Sequence, residues 1–196
     1  METIDITLPD GSKKSLPKGS NGLDLAKSIG PGLAKDAVAV VVNNEQRDLS
    51  DKLSNNAEVS IITIKSNEGL EIMRHTLAAQ VLASAIKNLY PDAKLAIGPT
   101  IEDGFYYDFL PTKPISIDDL PNIEKEMKSI IGQSTQITKT YHSKNDAIAM
   151  FDNLDERFKA EIINDSDQAD NFQIYAQDNS GFIDLCRGPH LPHLGF

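Results

Sequence analysis

The histidines and the single cysteine are the side chains of this sequence best suited to nucleophilic or metal chemistry. Cys186 and His190 fall within one short run, Asp184-Leu185-Cys186-Arg187-Gly188-Pro189-His190. Gly188-Pro189 favours a tight bend, so Cys186 and His190 can converge from a strand end and the loop that follows it. Such loops often carry metal or water chemistry. Two interpretations stay open, a reactive or metal-ligating pair and a buried, inert cysteine.

A long amphipathic helix carries the other notable histidine, His75. Ser66-Asn67-Glu68 is a helix start signal, and apolar residues then recur at spacings of three and four until Tyr90-Pro91-Asp92 ends the pattern. His142 and His193 have no neighbours that suggest a role.

The residues after this helix predict an α+β region whose strands are mostly antiparallel. Strands are predicted over 94–97, 104–109 (an aromatic strand), 135–141, 172–176 and 182–185, with a hairpin turn at 178–181 between the last two. Helices are predicted over 123–131, from a cap at Ser143, and over 155–163.

The first 64 residues have a different pattern, which predicts a small grasp-like sheet wrapped on one helix. Ile4, Ile6 and Leu8 alternate with polar residues, and a turn and second strand follow. Ser20 is the predicted cap of a short helix that Gly30-Pro31-Gly32 stops. Strands are predicted over 37–42, buried on both faces, and over 59–64. This stretch contains neither His nor Cys, so we expect a binding or positioning module.

Composition narrows the class of protein. The chain has 196 residues, of which 40% are hydrophobic, and a formal net charge of −10. A folded structure is expected. The excess of negative charge argues against binding of nucleic acid through the overall charge of the protein. One cysteine excludes a disulfide framework and fits a reducing compartment. No apolar run approaches the roughly 20 residues that span a bilayer, so we expect a cytoplasmic protein with no membrane partner.

Four motifs, in order along the chain, resemble the amino-terminal region of bacterial threonyl-tRNA synthetases. They are Arg74-His75-Thr76-Leu77-Ala78, Lys94-Leu95-Ala96-Ile97-Gly98-Pro99, Gly104-Phe105-Tyr106-Tyr107-Asp108 and the run from Asp184 to His190. The resemblance implies a ubiquitin-like TGS domain over residues 1–64 and, over residues 65–196, an editing domain shared with the alanyl enzyme.

The implied activity is hydrolysis of the ester that joins serine wrongly to threonine tRNA. The pocket in which a synthetase selects threonine rejects the smaller serine by only about 1–3 kcal/mol. A second site, which excludes threonine by steric clash, is therefore needed. The implied partners are the 3′ end of the threonine tRNA carrying serine and the rest of the synthetase chain. The full-length enzyme is expected to be a homodimer.

The same resemblance implies roles for individual residues. His75, Cys186 and His190 are the first candidates for catalysis, Lys159 matches a lysine credited with water activation or oxyanion contact, and Asp184 matches a carboxylate near the ester. The substrate-binding set comprises the helix position Ala79, a steric wall near Gly98 and Pro99, and the pocket-lining Tyr106.

Ala79 departs from the family pattern, which has His-x-x-x-His on the long helix. Two histidines at that spacing lie one turn apart on one face. Gln80, five residues after His75, would lie about 140° around an α-helix and would not replace the second histidine. Activity is therefore in doubt, and Ala79→His is expected to raise hydrolysis with little change in stability.

Two other functional classes remain as alternatives. His75, Cys186 and His190 could supply three zinc ligands with an open fourth position, as in a metallohydrolase. The threonyl-type resemblance instead implies a metal-free site, so no cofactor is expected and zinc is not favoured. The other alternative is a non-catalytic module with a tRNA-binding or regulatory role.

Overall fold

The computed structural model describes residues 2–178 and 180–196, which form two compact units. One comprises the described residues up to Met73 together with Gly188–Pro192, and the other comprises those of Arg74–Arg187 with His193–Phe196. The segment Gly188–Pro192 thus groups with the first unit, although the predicted boundary after residue 64 assigns it to the second. Among the described residues, no helix is both long and apolar enough to cross a membrane.

The first unit is a five-stranded sheet with two helices, in the chain order β1 (Thr3–Thr7), β2 (Lys13–Pro17), α1 (Gly22–Ile29), α2 (Pro31–Asp36), β3 (Ala37–Val42), β4 (Glu45–Asp48) and β5 (Ala57–Thr63). The strand order is β2-β1-β5-β3-β4. The pair β1–β5 is parallel and the other pairs are antiparallel. This arrangement confirms the predicted grasp-like sheet.

Local chemistry explains where α1 begins and ends. Asn21, and not the predicted Ser20, is the N-cap, because its side chain accepts a hydrogen bond from the backbone N–H of Asp24. The Asp24 carboxylate in turn accepts a hydrogen bond from the backbone N–H of Asn21. Ser20 is buried instead. Gly30 ends α1 as predicted, but Pro31 then opens the short helix α2, since proline is well suited to a first helical turn.

Strand β3 is an interior strand covered on both faces, as predicted. On one face Val40 and Val42 pack in a cluster with Leu25 of α1. On the other face Val38 packs in a cluster with Leu191. Leu191 therefore gives the segment Gly188–Pro192 an apolar anchor in this unit.

The second unit combines helices with short antiparallel strand pairs. After α3 (Asn67–Thr76) and a π-helical turn (Leu77–Leu82), its elements are α4 (Ala83–Leu89), β6 (Lys94–Leu95), β7 (Thr100–Ile101), β8 (Gly104–Phe105), β9 (Phe109–Leu110), a 3₁₀ turn (Ile117–Asp119), α5 (Leu120–Gly132), β10 (Ile137–His142), α6 (Lys144–Asn153), α7 (Arg157–Asp165), β11 (Phe172–Gln177) and β12 (Ile183–Leu185). The largest sheet has the order β10-β11-β12 and is antiparallel throughout. The prediction of a long helix with mostly antiparallel strands is confirmed.

Two predictions for this unit need correction, and one lies partly outside the described residues. The aromatic strand over 104–109 is interrupted, since only Gly104–Phe105 and Phe109–Leu110 are strands and the residues between them are irregular. The long helix is not α-helical throughout, because the backbone N–H of Ala83 bonds to the carbonyl of Ala78, five residues back. The predicted hairpin turn at 178–181 includes Asn179, which lies outside the described residues.

Candidate active site

His75 and Cys186 form the most direct polar contact between predicted catalytic residues. His75 stands near the end of α3, and Cys186 follows the last residue of β12. The Nε2 atom of His75 lies 2.8 Å from the Sγ atom of Cys186. Both side chains are partly buried, and an imidazole beside a thiol can exchange a proton with it.

Lys159 and Asp184 form a second, deeply buried pair. Lys159 lies on the face of α7 that also buries Ala160 and Ile163, and Asp184 is the middle residue of β12. The Lys159 Nζ atom is 2.6 Å from the Asp184 Oδ1 atom, and their side chains are 4% and 2% exposed. A fixed positive charge is thereby held in a site of low dielectric constant.

Tyr107 completes this group of three. Its hydroxyl donates a hydrogen bond to Asp184 Oδ2 at 3.2 Å, and Lys159 Nζ lies 5.6 Å from the centre of its ring. The backbone N–H of Leu185 also donates to Asp184. The carboxylate is therefore surrounded by three donors, as a buried charge requires.

Burial governs the protonation of this cluster. Loss of water raises the pKa of the Asp184 carboxyl, and the Lys159 ammonium acts in the opposite direction. Burial also raises the pKa of Tyr107 far above its ordinary range, and the negative charge of Asp184 adds to that effect. The phenol therefore stays protonated and acts as a hydrogen-bond donor.

Glu156 fixes the start of α7, one turn before Lys159. Its Oε2 atom accepts a hydrogen bond from the backbone N–H of Leu95 at 2.8 Å, and its Oε1 atom lies 2.6 Å from Lys87 Nζ. Glu156 is 5% exposed, so these contacts tie α7 to α4 and β6 inside the unit. The position of Lys159 is set by this anchor as well as by Asp184.

A cavity of about 210 Å³ opens beside these residues. Cys186 and Lys159 both contribute to its wall, together with apolar and amide side chains that include Ile97, Ile162 and Gln173. The volume is smaller than the roughly 300–1,000 Å³ of sites for drug-sized ligands. The cavity therefore suits a small group.

The other predicted residues have different surroundings. His190 belongs to the segment grouped with the first unit, where its backbone N–H bonds to Asp48 Oδ1 at 3.0 Å and its side chain is buried. Gly98 packs so closely on the Tyr107 ring that any Cβ at that position would overlap it. Tyr106 is 47% exposed. Neither Gly98, Pro99 nor Tyr106 lines the cavity beside Cys186, and their contact with substrate stays a prediction.

Ala79 lies in an apolar cluster of the second unit. It is 4% exposed and packs in the same cluster as Leu95, Ile86 and Tyr107. Because Ala79 is almost fully buried in this cluster, we now expect a histidine here to displace neighbouring side chains rather than to find room, and this stays a prediction.

Sequence reasoning did not single out Tyr107, and it rejected Gln80 on the geometry of a regular α-helix. Tyr106 and Tyr107 are adjacent tyrosines, and alternation along a strand puts one of them inward without saying which. Gln80 is fully buried on the π-helical turn, where the angle assumed for an α-helix does not apply. A polar residue in an otherwise apolar helix stretch was the available signal for Gln80.

Zinc binding is compatible with the residue types at this site. Imidazole nitrogen and thiolate sulfur are common zinc ligands, and His75 with Cys186 offers one of each. A catalytic zinc site has three protein ligands, so this pair needs at least one more.

Comparison with known proteins establishes what this chain resembles. Residues 4–63 match the TGS domain family. The chain carries a TGS domain. Over 196 residues, all of this chain, it is 45% identical to a threonine–tRNA ligase of Citrifermentans bemidjiense, of which it covers 30%.

Two further relatives show the same pattern. The threonine–tRNA ligase of Hyphomonas neptunium is 46% identical over 98% of this chain, and that of Francisella tularensis subsp. holarctica is 45% identical over 97%. The chain covers 29% of each. The TGS domain and the region that follows it together resemble the N-terminal part of these ligases, which confirms the resemblance seen in the motifs.

Proposed function

We propose that this chain is the editing region of a threonine–tRNA ligase and hydrolyses the ester between serine and the 3′ end of threonine tRNA. The observation that carries the proposal is the small cavity whose wall contains both Cys186 and Lys159. The similarity to threonine–tRNA ligases over the whole chain supports it.

The chemistry assigned to these residues is attack of water on an ester carbonyl. The water oxygen bonds to the carbonyl carbon, the bond to the ribose oxygen breaks, and a proton passes to that leaving oxygen. His75 is the group proposed to accept the proton of the attacking water, with Cys186 holding its ring in place. Lys159 is proposed to stabilise the negative charge that develops on the carbonyl oxygen.

Asp184 and Tyr107 support the lysine in this scheme. A buried ammonium retains its charge when a carboxylate compensates it, and Asp184 lies at 2.6 Å. Because the Tyr107 hydroxyl bonds to the other carboxylate oxygen, the carboxylate cannot rotate freely. Lys159 is therefore fixed before substrate arrives, as electrostatic catalysis requires.

Specificity for serine is proposed to be steric. The hydroxyl that serine and threonine share cannot distinguish them, whereas the extra methyl of threonine must meet a wall. A cavity of about 210 Å³ with packed walls is small enough for one methyl to matter. The proposed partners are the tRNA 3′ end and the rest of the synthetase chain, which is proposed to be a cytoplasmic homodimer.

Calorimetry with two non-hydrolysable analogues, seryl-adenosine and threonyl-adenosine, tests this proposal. Ile162 lines the cavity and is 40% exposed, so Ile162→Trp should fill the cavity without disturbing the core. Ile117, which is 79% exposed and outside the cavity wall, provides the matched control Ile117→Trp. We expect the seryl analogue to bind more tightly, and only Ile162→Trp to abolish its binding.

Three results would count against the proposal. Equal affinities for the two analogues would remove the steric sieve from the binding step. Unchanged binding by Ile162→Trp would mean that the cavity is not the substrate site. Failure of the wild-type chain to bind either analogue would favour a module that binds the body of the tRNA or regulates.

A further inference from the structure

The π-helical turn Leu77–Leu82 places two polar side chains on the same side of the helix. His75 lies against Cys186, just after β12, and Gln80 lies against Gln177, at the end of β11. Strands β11 and β12 are neighbours in one sheet. His75 and Gln80 therefore both face this sheet, although they are five residues apart.

A π-helical turn brings His75 and Gln80 closer in angle than a regular α-helix would. Residues five positions apart lie about 140° apart around an α-helix, whereas a turn with i→i+5 hydrogen bonds holds one more residue. The bond from the Ala83 N–H to the Ala78 carbonyl shows that this extra residue is accommodated here. The π-helical turn thus brings Gln80 toward the side of the helix on which His75 lies, which a regular α-helix would not do.

The contact between Gln80 and Gln177 is buried and polar. Gln177 Nε2 donates to the backbone carbonyl of Gln80 at 2.7 Å and lies 3.4 Å from its side-chain Oε1. The two residues are 0% and 3% exposed. The Nε2 atom of Gln80 is buried with no hydrogen-bond partner among the described residues. Burying an unsatisfied amide opposes folding, so a leucine at this position would give a more stable protein.

We propose that Gln177 is a positioning residue: by holding Gln80 it fixes the helix in the register that places His75 beside the thiol. The effect of this contact on catalysis rests on the proposed function, because the contact positions a residue of the same site. Its structural part does not depend on that function, because the placement of His75 can be observed directly.

Nuclear magnetic resonance of the histidine rings and kinetics of seryl-tRNA hydrolysis test the proposal together. Gln177→Leu removes the donor to both atoms of Gln80, while Gln80→Leu removes only the weaker side-chain contact. Gln136→Leu is the matched control, since Gln136 is exposed and its carbonyl bonds to Asp178 beside the same strand end. The ring signals of His75 are assigned by comparison with His75→Ala.

We expect Gln177→Leu to move the His75 ring signals and to lower kcat by about 10- to 100-fold with little change in KM, as misplacement of a reacting group does. Gln80→Leu should have a smaller effect in the same direction, and Gln136→Leu none. In a His75→Ala background, Gln177→Leu should cause no further loss of kcat, because its effect acts through the imidazole.

Deletion of Ala79 tests the register itself. The deletion reduces the spacing between His75 and Gln80 from five residues to four, which a regular α-helix satisfies. The deleted chain should keep the His75 ring signals of the wild type. If the deletion does not fold, Gln177→Leu alone decides.

The proposal is overturned if Gln177→Leu lowers the melting temperature but leaves the His75 signals and kcat unchanged, since the contact would then be merely structural. Loss of the His75 signals on deletion of Ala79, in a folded chain, would overturn it as well. A wild-type chain without hydrolytic activity would remove the proposed function, but the His75 signals would still decide the role of Gln177.

Discussion

The buried pair of Lys159 and Asp184 makes the sharpest prediction about stability. Lys159→Met keeps the volume of the side chain but leaves the Asp184 carboxylate with only the Tyr107 hydroxyl and one backbone N–H. With both side chains under 5% exposed, removal of one partner from a buried pair should destabilise the second unit by about 3–5 kcal/mol. Domains are stable by about 5–15 kcal/mol in total, so the effect should be large.

Tyrosine fluorescence during urea unfolding measures this effect selectively. The chain has no Trp, and its five Tyr residues all belong to the second unit. The double variant Lys159→Met with Asp184→Leu should recover most of the lost stability, because an apolar pair replaces a buried ion pair at little net cost. A loss below about 1 kcal/mol for Lys159→Met alone would refute the claim that the two charges depend on each other.

The pH dependence of Lys159→Met has a definite sign. Burial raises the pKa of Asp184 above its unfolded value of 3.8, and the variant lacks the ammonium that opposes this shift. A carboxyl with a raised pKa contributes stability at pH values below its unfolded pKa and loses that contribution as the pH rises through its folded pKa. The deficit of the variant relative to the wild type should therefore be small near pH 4 and should grow toward pH 7.

Other substitutions and one metal analysis give further tests. Ala79→His should destabilise the second unit by about 1–3 kcal/mol in the same urea assay and should not raise hydrolysis, because Ala79 lies in a packed apolar cluster; a faster, stable variant would contradict this. Gly98→Ala should lower the free energy of unfolding by a similar amount, because the added Cβ would overlap the Tyr107 ring. An unchanged urea midpoint would show instead that the ring can move. Elemental analysis of the purified chain should find less than one zinc per chain; one zinc, with hydrolysis lost on chelation, would establish the metallohydrolase alternative.

Patterns with a regular period were predicted well from the sequence. The alternation around Ile4 and Ile6, the apolar run of β3 and the spacing of apolar residues along α3 and α4 each follow from one secondary structure burying one face or two. These features depend on local chemistry, which a single sequence displays.

The departures occur where tertiary contacts override local pattern. The π-helical turn accompanies contacts of His75 with Cys186 and of Gln80 with Gln177, which are distant in sequence and therefore absent from the local pattern. Tyr107 is buried by the Asp184 carboxylate and by the approach of Gly98, which lie far apart in sequence. Asn21, rather than Ser20, caps α1 because Asp24 lies three residues after Asn21 and forms a capping box with it.

Deacylation of seryl-tRNA and threonyl-tRNA, each carried by threonine tRNA, tests the central claim most directly. The tRNA is charged in advance and mixed with an excess of the chain, so the first turnover is observed. We predict that the chain accelerates loss of serine above the spontaneous rate, leaves the threonyl ester intact, and loses the acceleration in His75→Ala but not in His142→Ala. Equal rates with and without a folded chain, or equal hydrolysis of both esters, would contradict the assignment of this cavity as a serine-selective editing site.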